Sequence, residues 1–246
     1  MARPSRALFP VTVEQTTLVT PHMKRIAVDG TGLSPYRGHL PAQFIKVFVP
    51  TKEGRAEKGR AYTVRRFHEA SKRLELDFVL HGDDGVVSAW AASACAGDTF
   101  EISGVHPRSG LSIEPATTSY LLAGDETALP AIGAILEALP QHARADVLVE
   151  VADEHEEQEL DSRAAVDVTW VHRGRGGNGP APLVAAVRAS SRPDPGTLVW
   201  VAGESSTVRA IREQVTSEWG IGRERLHAVA YWKRGESNHK DDDAIL

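Results

Sequence analysis

The sequence is poor in cysteine and contains no long apolar run. Cys95 is the single cysteine among 246 residues, so the chain cannot form an internal disulfide or a cysteine-ligated iron–sulfur cluster. No apolar stretch approaches the roughly 18 residues of a membrane-spanning helix, and residues 1–12 lack the apolar core of a signal peptide. We therefore expect a cytoplasmic protein without a membrane span, in which any redox chemistry depends on a bound organic cofactor.

The chain is also short of positive charge. Its 33 acidic residues outnumber its 28 lysines and arginines, which gives a net charge of −5. This balance argues against a general nucleic-acid-binding protein, although it leaves room for a local basic pocket. With 246 residues, 41% of them hydrophobic and 25% charged, the chain is long enough for one large or two ordinary globular domains.

The first half of the chain has the pattern of short antiparallel strands. Alternating apolar runs, separated by clusters of glycine, proline and aspartate, predict strands at 8–19, 24–28, 44–49, 61–67, 74–80 and 99–103. A helix is predicted at about 87–94, with Ser88 near its start. Because a closed barrel leaves no unpaired strand edge, we predict an antiparallel β-barrel domain over residues 1–115.

After a linker at 113–118, the pattern changes to strands that alternate with helices. Strands are predicted at 119–123, 145–152, 166–172, 198–202 and 226–232, and helices at 130–139, 183–189 and 207–219. This alternation predicts an α/β domain with a parallel sheet over residues 119–234, followed by a tail at 235–246 that we expect to be disordered. Ligands of such sheets bind at the carboxyl ends of the strands, where Gly124 and Gly203 predict two glycine turns.

Three residues of one predicted strand could hold a flat polar ring. Arg60 offers a cation for a phosphate, Tyr62 a phenol that can stack, and Thr63 a hydroxyl for a ring edge. On a straight strand, Arg60 and Tyr62 point to one face and Thr63 to the other. Taken alone, these residues are better explained as an ordinary surface strand.

A second group follows within thirty residues and would suit a diphosphate. His81 and Gly82 form a turn, and Ser88 and Trp90 lie at the start of the predicted helix, whose free N–H groups and positive dipole end attract phosphate. Singly, Ser88 is explained as a helix cap and Trp90 as core. Together with the first group, this order of residues predicts a flavin site.

Six stretches, which span nearly the whole chain, resemble a known family and occur in that family's order. They read RAYTV at 60–64, DFVLHG at 77–82, SAWA at 88–91, LAGDETALP at 122–130, VAGE at 201–204 and YWKRG at 231–235. The chain thereby resembles the siderophore-interacting proteins, flavin-dependent ferric-siderophore reductases of the ferredoxin-reductase-like superfamily. Two departures are visible. At residues 85–88 the family often has Gly-Pro-Ala-Ser and this chain has Gly-Val-Val-Ser, and at residues 104–110 this chain has the longer loop Gly-Val-His-Pro-Arg-Ser-Gly where the family often has Gly-Pro-Arg-Gly.

The resemblance implies a two-domain flavoprotein that binds FAD in the barrel and NADH or NADPH in the α/β domain. It implies that the flavin ring and ribityl chain are held by Arg60, Tyr62, Thr63 and Val64, with Thr127 beside the ring, and the diphosphate and adenosine side by His81, Gly82, Ser88 and Trp90. It implies that the nicotinamide nucleotide is framed by Gly124, Gly203 and Glu204, and that the other cofactor-binding residues are Asp77, Asp125, Glu126, Ser205 and Trp232. Lys46 and Arg108 flank the implied pocket for an anionic ferric siderophore.

The sequence leaves more than one candidate for the electron donor. The acidic run at 153–157 is most simply a solvated loop, but acidic groups at the end of the second strand of a nucleotide domain favour a free ribose hydroxyl and therefore NADH over NADPH. A ferredoxin is a further candidate donor. The chemistry would be centred on the flavin, so no catalytic side chain and no metal ligands are predicted.

Two alternatives share most of these residues. One is a flavin reductase with another acceptor, such as free flavin, a quinone or a partner protein. The other is a siderophore-binding protein without enzymatic activity, which would carry no flavin. The cations Lys46 and Arg108 distinguish a siderophore reductase from the first alternative. A flavin absorbance spectrum distinguishes it from the second.

Overall fold

The chain folds as two units, Met1–Leu111 and Ser112–Leu246. The structure is a computed structural model that describes residues 8–29, 40–81, 85–106, 109–174, 182–236, 239, 241 and 244. The first unit is built on antiparallel strands and the second on parallel ones.

The strands of the first unit are short and pair with neighbours that run in the opposite direction. They are β1 (Leu8–Thr20), β2 (Met23–Asp29), β3 (Phe44–Phe48), β4 (Pro50–Thr51), β5 (Gly54–Arg55), β6 (Arg60–His68), β7 (Arg73–Val79) and β8 (Thr99–Ser103). Six of them close a barrel in the order β1-β2-β7-β6-β3-β8, while β4 and β5 form a small separate hairpin. One helix, α1 (Val86–Ser93), follows β7.

Alternation along the strands explains the interior of the barrel. Ile45 and Val47 of β3 and Leu74, Leu76 and Phe78 of β7 are fully buried and belong to one core cluster. Successive side chains on a strand point to opposite faces, so these residues line the inside. Burial of each such side chain contributes about 1.5–3 kcal/mol, which fixes the strand register.

The second unit is a five-stranded parallel sheet in the order β11-β10-β9-β12-β13. Its strands are β9 (Ser119–Asp125), β10 (Arg144–Val151), β11 (Ala165–His172), β12 (Leu198–Glu204) and β13 (Leu226–Trp232). The chain moves from β9 outward to β11 and then crosses back to β12 and β13. The strand order therefore reverses between β9 and β12, which is the point where ligands bind in sheets of this kind.

Helices connect the parallel strands. They are α2 (Leu129–Ala138), α3 (Pro182–Ala189) and α4 (Ser205–Glu213), and α4 continues as a π-helical turn, Gln214–Glu218. Pro130 occupies the first turn of α2, where the missing N–H breaks no helical hydrogen bond.

The predicted fold class, an antiparallel barrel followed by an α/β parallel sheet, is confirmed. The details differ at three places. Gly124 and Gly203 lie within the last residues of β9 and β12 rather than in turns, and α4 begins at Ser205 rather than near 207. The hairpin of β4 and β5 was not predicted, because two-residue strands carry no periodicity.

The end of the chain returns to the sheet. Most of the tail predicted to be disordered lies outside the described residues, but Asp241 accepts a hydrogen bond from the Ala230 N–H of β13. Within the described ranges, no helix is long and apolar enough to cross a membrane.

Candidate functional site

Arg60 and Tyr62 occupy one face of β6. In the pairing of β6 with β3, Arg60 lies opposite Val47 and Tyr62 opposite Ile45, so both share the face of these two core residues. Thr63 lies opposite Phe44 and points to the other face. The structure therefore has the separation of faces that the alternation of the strand predicts.

Tyr62 belongs to a chain of aromatic contacts that reaches Trp90. The ring centroids of Tyr62 and Phe78 are 4.5 Å apart, those of Phe78 and Trp90 6.4 Å, and those of Trp90 and Phe100 5.0 Å. Burial raises the pKa of the Tyr62 phenol well above its ordinary value, and the Arg60 charge opposes this only in part. The Tyr62 phenol is therefore neutral, half-buried and close to the Arg60 guanidinium, and Phe78 packs against one side of its ring.

The Arg60 guanidinium has an unsatisfied donor. Its Nη1 is buried and finds no hydrogen-bond acceptor within the described part of the chain. A buried polar group without a partner costs about 1–3 kcal/mol, and such a group calls for an explanation by an absent partner. An anionic or carbonyl-rich ligand beside Tyr62 would supply the missing acceptor.

The start of α1 is arranged as a site for an anion. The N-cap residue is Gly85, and no side chain caps the helix. The first helical hydrogen bond is from the Ala89 N–H to Gly85 O at 2.8 Å, so the N–H groups of residues 86–88 have no partner inside the helix. A side chain at position 85 would come within 3.0 Å of the His81 ring, which explains the glycine.

Ser88 has a different role from the predicted phosphate contact. Its hydroxyl donates to Val79 O and accepts from the His81 N–H, each at 3.2 Å, and the side chain is buried. Ser88 therefore fastens the start of α1 to the end of β7, and only its backbone N–H remains for a phosphate. Gly82, predicted at the same site, lies outside the described residues.

Lys24 holds the other end of α1 and was missed by the sequence reasoning. Its Nζ donates to Ala92 O at 3.0 Å and to Ala94 O at 2.9 Å, and the residue is buried. A cation at this position satisfies carbonyls that the helix leaves unpaired and complements the helix dipole. The available signal was a lysine within a strand that is otherwise almost wholly buried.

Four further predicted residues of the first unit are placed less favourably or cannot be placed. Asp77 is buried, and its two oxygens accept from Nε and Nη2 of Arg25, both at 2.7 Å, on the face of β7 opposite Phe78. We therefore leave Asp77 out of the proposed site. Val64 packs into the barrel core, Lys46 lies opposite Ala61 on the face away from Tyr62, and Arg108 is outside the described residues.

In the second unit, Asp125 joins the carboxyl ends of three strands. Its Oδ2 accepts from the Glu204 N–H of β12 at 3.0 Å and from Trp232 Nε1 of β13 at 2.8 Å. Its Oδ1 accepts from both the N–H and the hydroxyl of Thr127, so Thr127, predicted beside the flavin ring, is engaged with Asp125. Burial raises the pKa of Asp125 to about 6, against the effect of the Thr127 and Trp232 hydrogen bonds.

Two glycines allow the chain to close around Asp125. A Cβ at Gly203, whose φ is +146°, would lie 2.6 Å from Asp125 Oδ2, and a Cβ at Gly124 would lie 2.8 Å from Ala202 O. Larger residues are excluded at both positions. The Asp125 carboxylate is thus buried between the ends of β9 and β12.

Glu204 caps the helix that follows it. Its carboxylate accepts from the Ser206 N–H at 2.7 Å and the Thr207 N–H at 3.2 Å. Partial burial works against the charge, yet the hydrogen bonds from Ser206, Thr207 and Arg234 outweigh it, and the pKa of Glu204 is lowered. A cavity of about 270 Å³ is lined by Glu204, Ser205, Ser206, Arg209 and Lys233.

Arg173 links the remaining two strand ends. It follows β11, and it donates from Nε to Glu150 of β10 at 2.9 Å and from Nη2 to Glu126, which follows β9. Burial opposes its charge, but Glu126 and Glu150 raise the pKa of the guanidinium. Glu150 in turn accepts from the Leu183 N–H at the start of α3, at 3.0 Å.

Two residues of the acidic run at 153–157 make hydrogen bonds within the second unit. Asp153 accepts from the His155 N–H at 3.0 Å and caps a short 3₁₀ turn, Glu154–Glu156. Glu157 contacts His172 Nε2 at 2.8 Å. Within the described ranges, no group of three or more histidine, cysteine or acidic side chains is arranged to hold a metal ion.

These two sets of side chains occur in a chain that matches one family over most of its length. A family described as siderophore-interacting protein matches residues 117–235, and a siderophore-interacting FAD-binding domain matches residues 52–109. The ferric vibriobactin reductase ViuB of Vibrio cholerae is 30% identical to the chain, with 93% of this chain and 91% of that protein aligned. The chain belongs to the siderophore-interacting protein family.

Solved structures agree with this assignment. A siderophore utilization protein from T. fusca is 32% identical and superposes with a TM-score of 0.83, covering 95% of both chains. A ferredoxin NADP+ reductase from Neisseria gonorrhoeae, 15% identical, superposes with a TM-score of 0.69 over 93% of this chain and 100% of that chain. The second likeness concerns the fold alone, and it confirms the predicted ferredoxin-reductase-like architecture.

Proposed function

We propose that the protein is an FAD-dependent ferric-siderophore reductase. In this proposal, NADH or NADPH supplies a hydride, and single electrons reduce Fe(III) in a bound siderophore to Fe(II) in the cytoplasm. The observation that carries it is the Nη1 of Arg60 near Tyr62, which is buried and lacks an acceptor among the described residues, in the unit that matches a siderophore-interacting FAD-binding domain. FAD held there would supply the conversion of a two-electron hydride into single electrons, a chemistry that the side chains of this protein cannot supply.

The barrel residues suit the parts of FAD that need binding. Arg60 would give its free donor to the flavin side of the cofactor, and Tyr62 would cover the ring with its half-exposed face. The uncapped start of α1, at Gly85 and residues 86–88, would receive the diphosphate. Trp90 packs against Phe78, and Phe78 in turn packs against Tyr62, so both rings help to fix the position of the Tyr62 ring.

The sheet edge is proposed as the site of the nicotinamide nucleotide. Gly124 and Gly203 let β9 and β12 approach there, and Asp125 fixes Glu204 and Trp232 around the crevice. The indole of Trp232 is half-buried and offers a flat apolar surface at the end of β13. Ligands of doubly wound sheets occupy this position.

The substrate side is proposed to contain the cations Lys46 and Arg108. Ferric siderophores are commonly anionic, and cations attract them despite the net charge of −5. Fe(III) is a hard ion that binds catecholate or hydroxamate oxygens tightly, whereas Fe(II) binds them weakly, so reduction releases the iron. The name of ViuB, a ferric vibriobactin reductase, supports this substrate class.

An absorbance experiment tests the proposal. The purified protein should show flavin bands that bleach when NADH or NADPH is added without oxygen and recover when a ferric siderophore follows. A colorimetric Fe(II) chelator should then trap the released iron. A colourless protein that binds the siderophore would support a binding protein, and bleaching without recovery by ferric siderophores would support a flavin reductase with another acceptor.

A further inference from the structure

The ends of β9, β10 and β11 share one ion cluster, which consists of Glu126, Glu150 and Arg173. Arg173 makes hydrogen bonds to both carboxylates through different nitrogens. The side chains are 22%, 10% and 37% exposed for Glu126, Glu150 and Arg173. The guanidinium therefore faces solvent in part, but two neighbouring negative charges already neutralise it.

Carboxylates also occupy the helix N-termini at this edge of the sheet. Asp125 accepts from the Thr127 N–H just before α2, Glu150 from the Leu183 N–H of α3, and Glu204 from two N–H groups of α4. A helix N-terminus is an attractive place for a phosphate group because its N–H groups are free. At α3 and α4 the chain has filled that place with its own carboxylates, whereas α2 has no side-chain cap and Asp125 bonds the Thr127 N–H just before it.

The ion cluster lies at the strand ends that, in doubly wound sheets, contact the ribose of a bound nucleotide. In doubly wound sheets, an acidic residue near the end of the second strand accepts a hydrogen bond from a free ribose 2′-hydroxyl, and a nearby arginine accommodates a 2′-phosphate. Here, β10 is the second strand, and Glu150 near its end and Glu126 beside it both hold the arginine. A 2′-phosphate placed against Arg173 would meet two carboxylates at close range, whereas an uncharged 2′-hydroxyl could donate to Glu126.

We propose that the cluster of Glu126, Arg173 and Glu150 makes the protein select a nicotinamide donor without a 2′-phosphate, that is, NADH over NADPH. This inference rests on the proposed function, since it assigns the donor of that reaction. It does not depend on the acidic run at 153–157, of which Asp153 caps a turn and Glu157 contacts His172. Glu126 is the determining residue, because Glu150 is additionally held by α3.

Equilibrium binding tests the selection without relying on turnover. NAD+ and NADP+ are titrated into the purified protein by calorimetry, and the wild type should bind NAD+ at least about tenfold more tightly. Glu126→Gln keeps the shape of the side chain and removes one charge. It should strengthen NADP+ binding roughly fivefold, the effect of one partly screened charge, and weaken NAD+ binding, because the 2′-hydroxyl then donates to a neutral amide oxygen instead of a carboxylate.

The matched control is Glu218→Gln. Glu218 is exposed and ends the π-helical turn after α4. Because a crossover helix runs antiparallel to the strands, this turn lies towards the opposite edge of the sheet. The control variant makes the same change of charge and should leave both affinities unaltered.

The outcomes separate this inference from the proposed function. Equal affinity of the wild type for the two nucleotides would overturn the inference and leave an NAD(P)H-dependent reductase intact. So would an unchanged NADP+ affinity in Glu126→Gln, or an equal gain in Glu218→Gln. Absence of binding for both nucleotides, with no bleaching of the flavin by either reduced form, would overturn the inference and the nucleotide donor together.

Discussion

The indole of Trp232 donates to the Asp125 carboxylate over 2.8 Å, and this bond ties the last strand of the parallel sheet to its first. The same oxygen accepts from the backbone of Glu204. One buried side chain thus sets the relative position of three strand ends where the nucleotide is proposed to bind.

Replacement of Gly203 should show how tightly this junction is packed. Gly203→Ala places a methyl group 2.6 Å from Asp125 Oδ2 at a φ of +146°, so either the backbone or the carboxylate must move. We expect a loss of at least about 2 kcal/mol in the free energy of unfolding, measured by urea denaturation. Gly196→Ala, where no atom lies within 4 Å of the new Cβ, should stay within about 0.5 kcal/mol, and equal losses in both variants would contradict the packing argument.

The raised pKa of Asp125 predicts the pH dependence of stability. With a folded-state pKa of about 6 and an unfolded value near 3.9, the folded protein binds the proton more tightly between these two values. The contribution of Asp125 is therefore fully present below about pH 4 and is lost as the pH rises through 6, by about 2–3 kcal/mol.

Asp125→Asn isolates this contribution, because asparagine does not titrate. The advantage of the wild type over the variant, measured by denaturant unfolding at pH 4, 5, 6 and 7, should shrink as the pH rises. An advantage that grows with pH would mean that the four donors around the carboxylate lower its pKa below the unfolded value, contrary to the prediction.

Arg60 should matter for FAD rather than for folding. Arg60→Met keeps much of the apolar stem and removes the charge together with the buried, unpartnered Nη1. We expect FAD to bind at least about tenfold more weakly, since a charge-assisted hydrogen bond contributes about 1.5–3 kcal/mol, while the melting temperature of the flavin-free protein stays level or rises.

A flavin fluorescence titration and a thermal melt measure the two effects of Arg60→Met separately. Arg55→Met is the matched control, because Arg55 is exposed and pairs with Glu101 at 3.1 Å. Undiminished FAD affinity in Arg60→Met would remove Arg60 from the cofactor site.

Lys24 should be needed for the stability of the helix that begins at the proposed diphosphate site. Lys24→Met leaves the carbonyls of Ala92 and Ala94 without their buried donor, at a cost of about 1–3 kcal/mol. Hydrogen exchange of the amides in α1 should quicken, and the free energy of unfolding should fall accordingly. Lys72→Met, which removes a partly exposed lysine paired with Glu69 at the surface, should change neither quantity appreciably.

Much of the fold can be predicted from local sequence patterns, but the points where strands and helices meet cannot. Strand periodicity places β2, β7 and β8 within a residue or two, because alternate burial on a strand is visible in the residues themselves. The helix start at Ser205 is hidden, because the cap comes from Glu204, the last residue of the preceding strand. Gly203 indicated a turn, but its smallness serves the approach of Asp125, a residue 78 positions earlier.

The candidate site shows the same limit. The spacing of Arg60 and Tyr62 predicts that they share a face, and they do. By contrast, the sequence around Asp77 does not indicate that Arg25 donates to both of its carboxylate oxygens. This contact depends on the pairing of β2 with β7. Ser88 likewise turns inward to β7, since the end of that strand offers it both an acceptor and a donor.

The contact of Asp241 with the Ala230 N–H has a consequence for self-association. β13 is the outermost strand of its sheet, and an exposed strand edge presents backbone groups that another chain can pair with. By accepting from the Ala230 N–H, Asp241 occupies one of the sites at which a second chain could pair with β13. Asp241→Ala would free this N–H and should therefore increase self-association at high protein concentration.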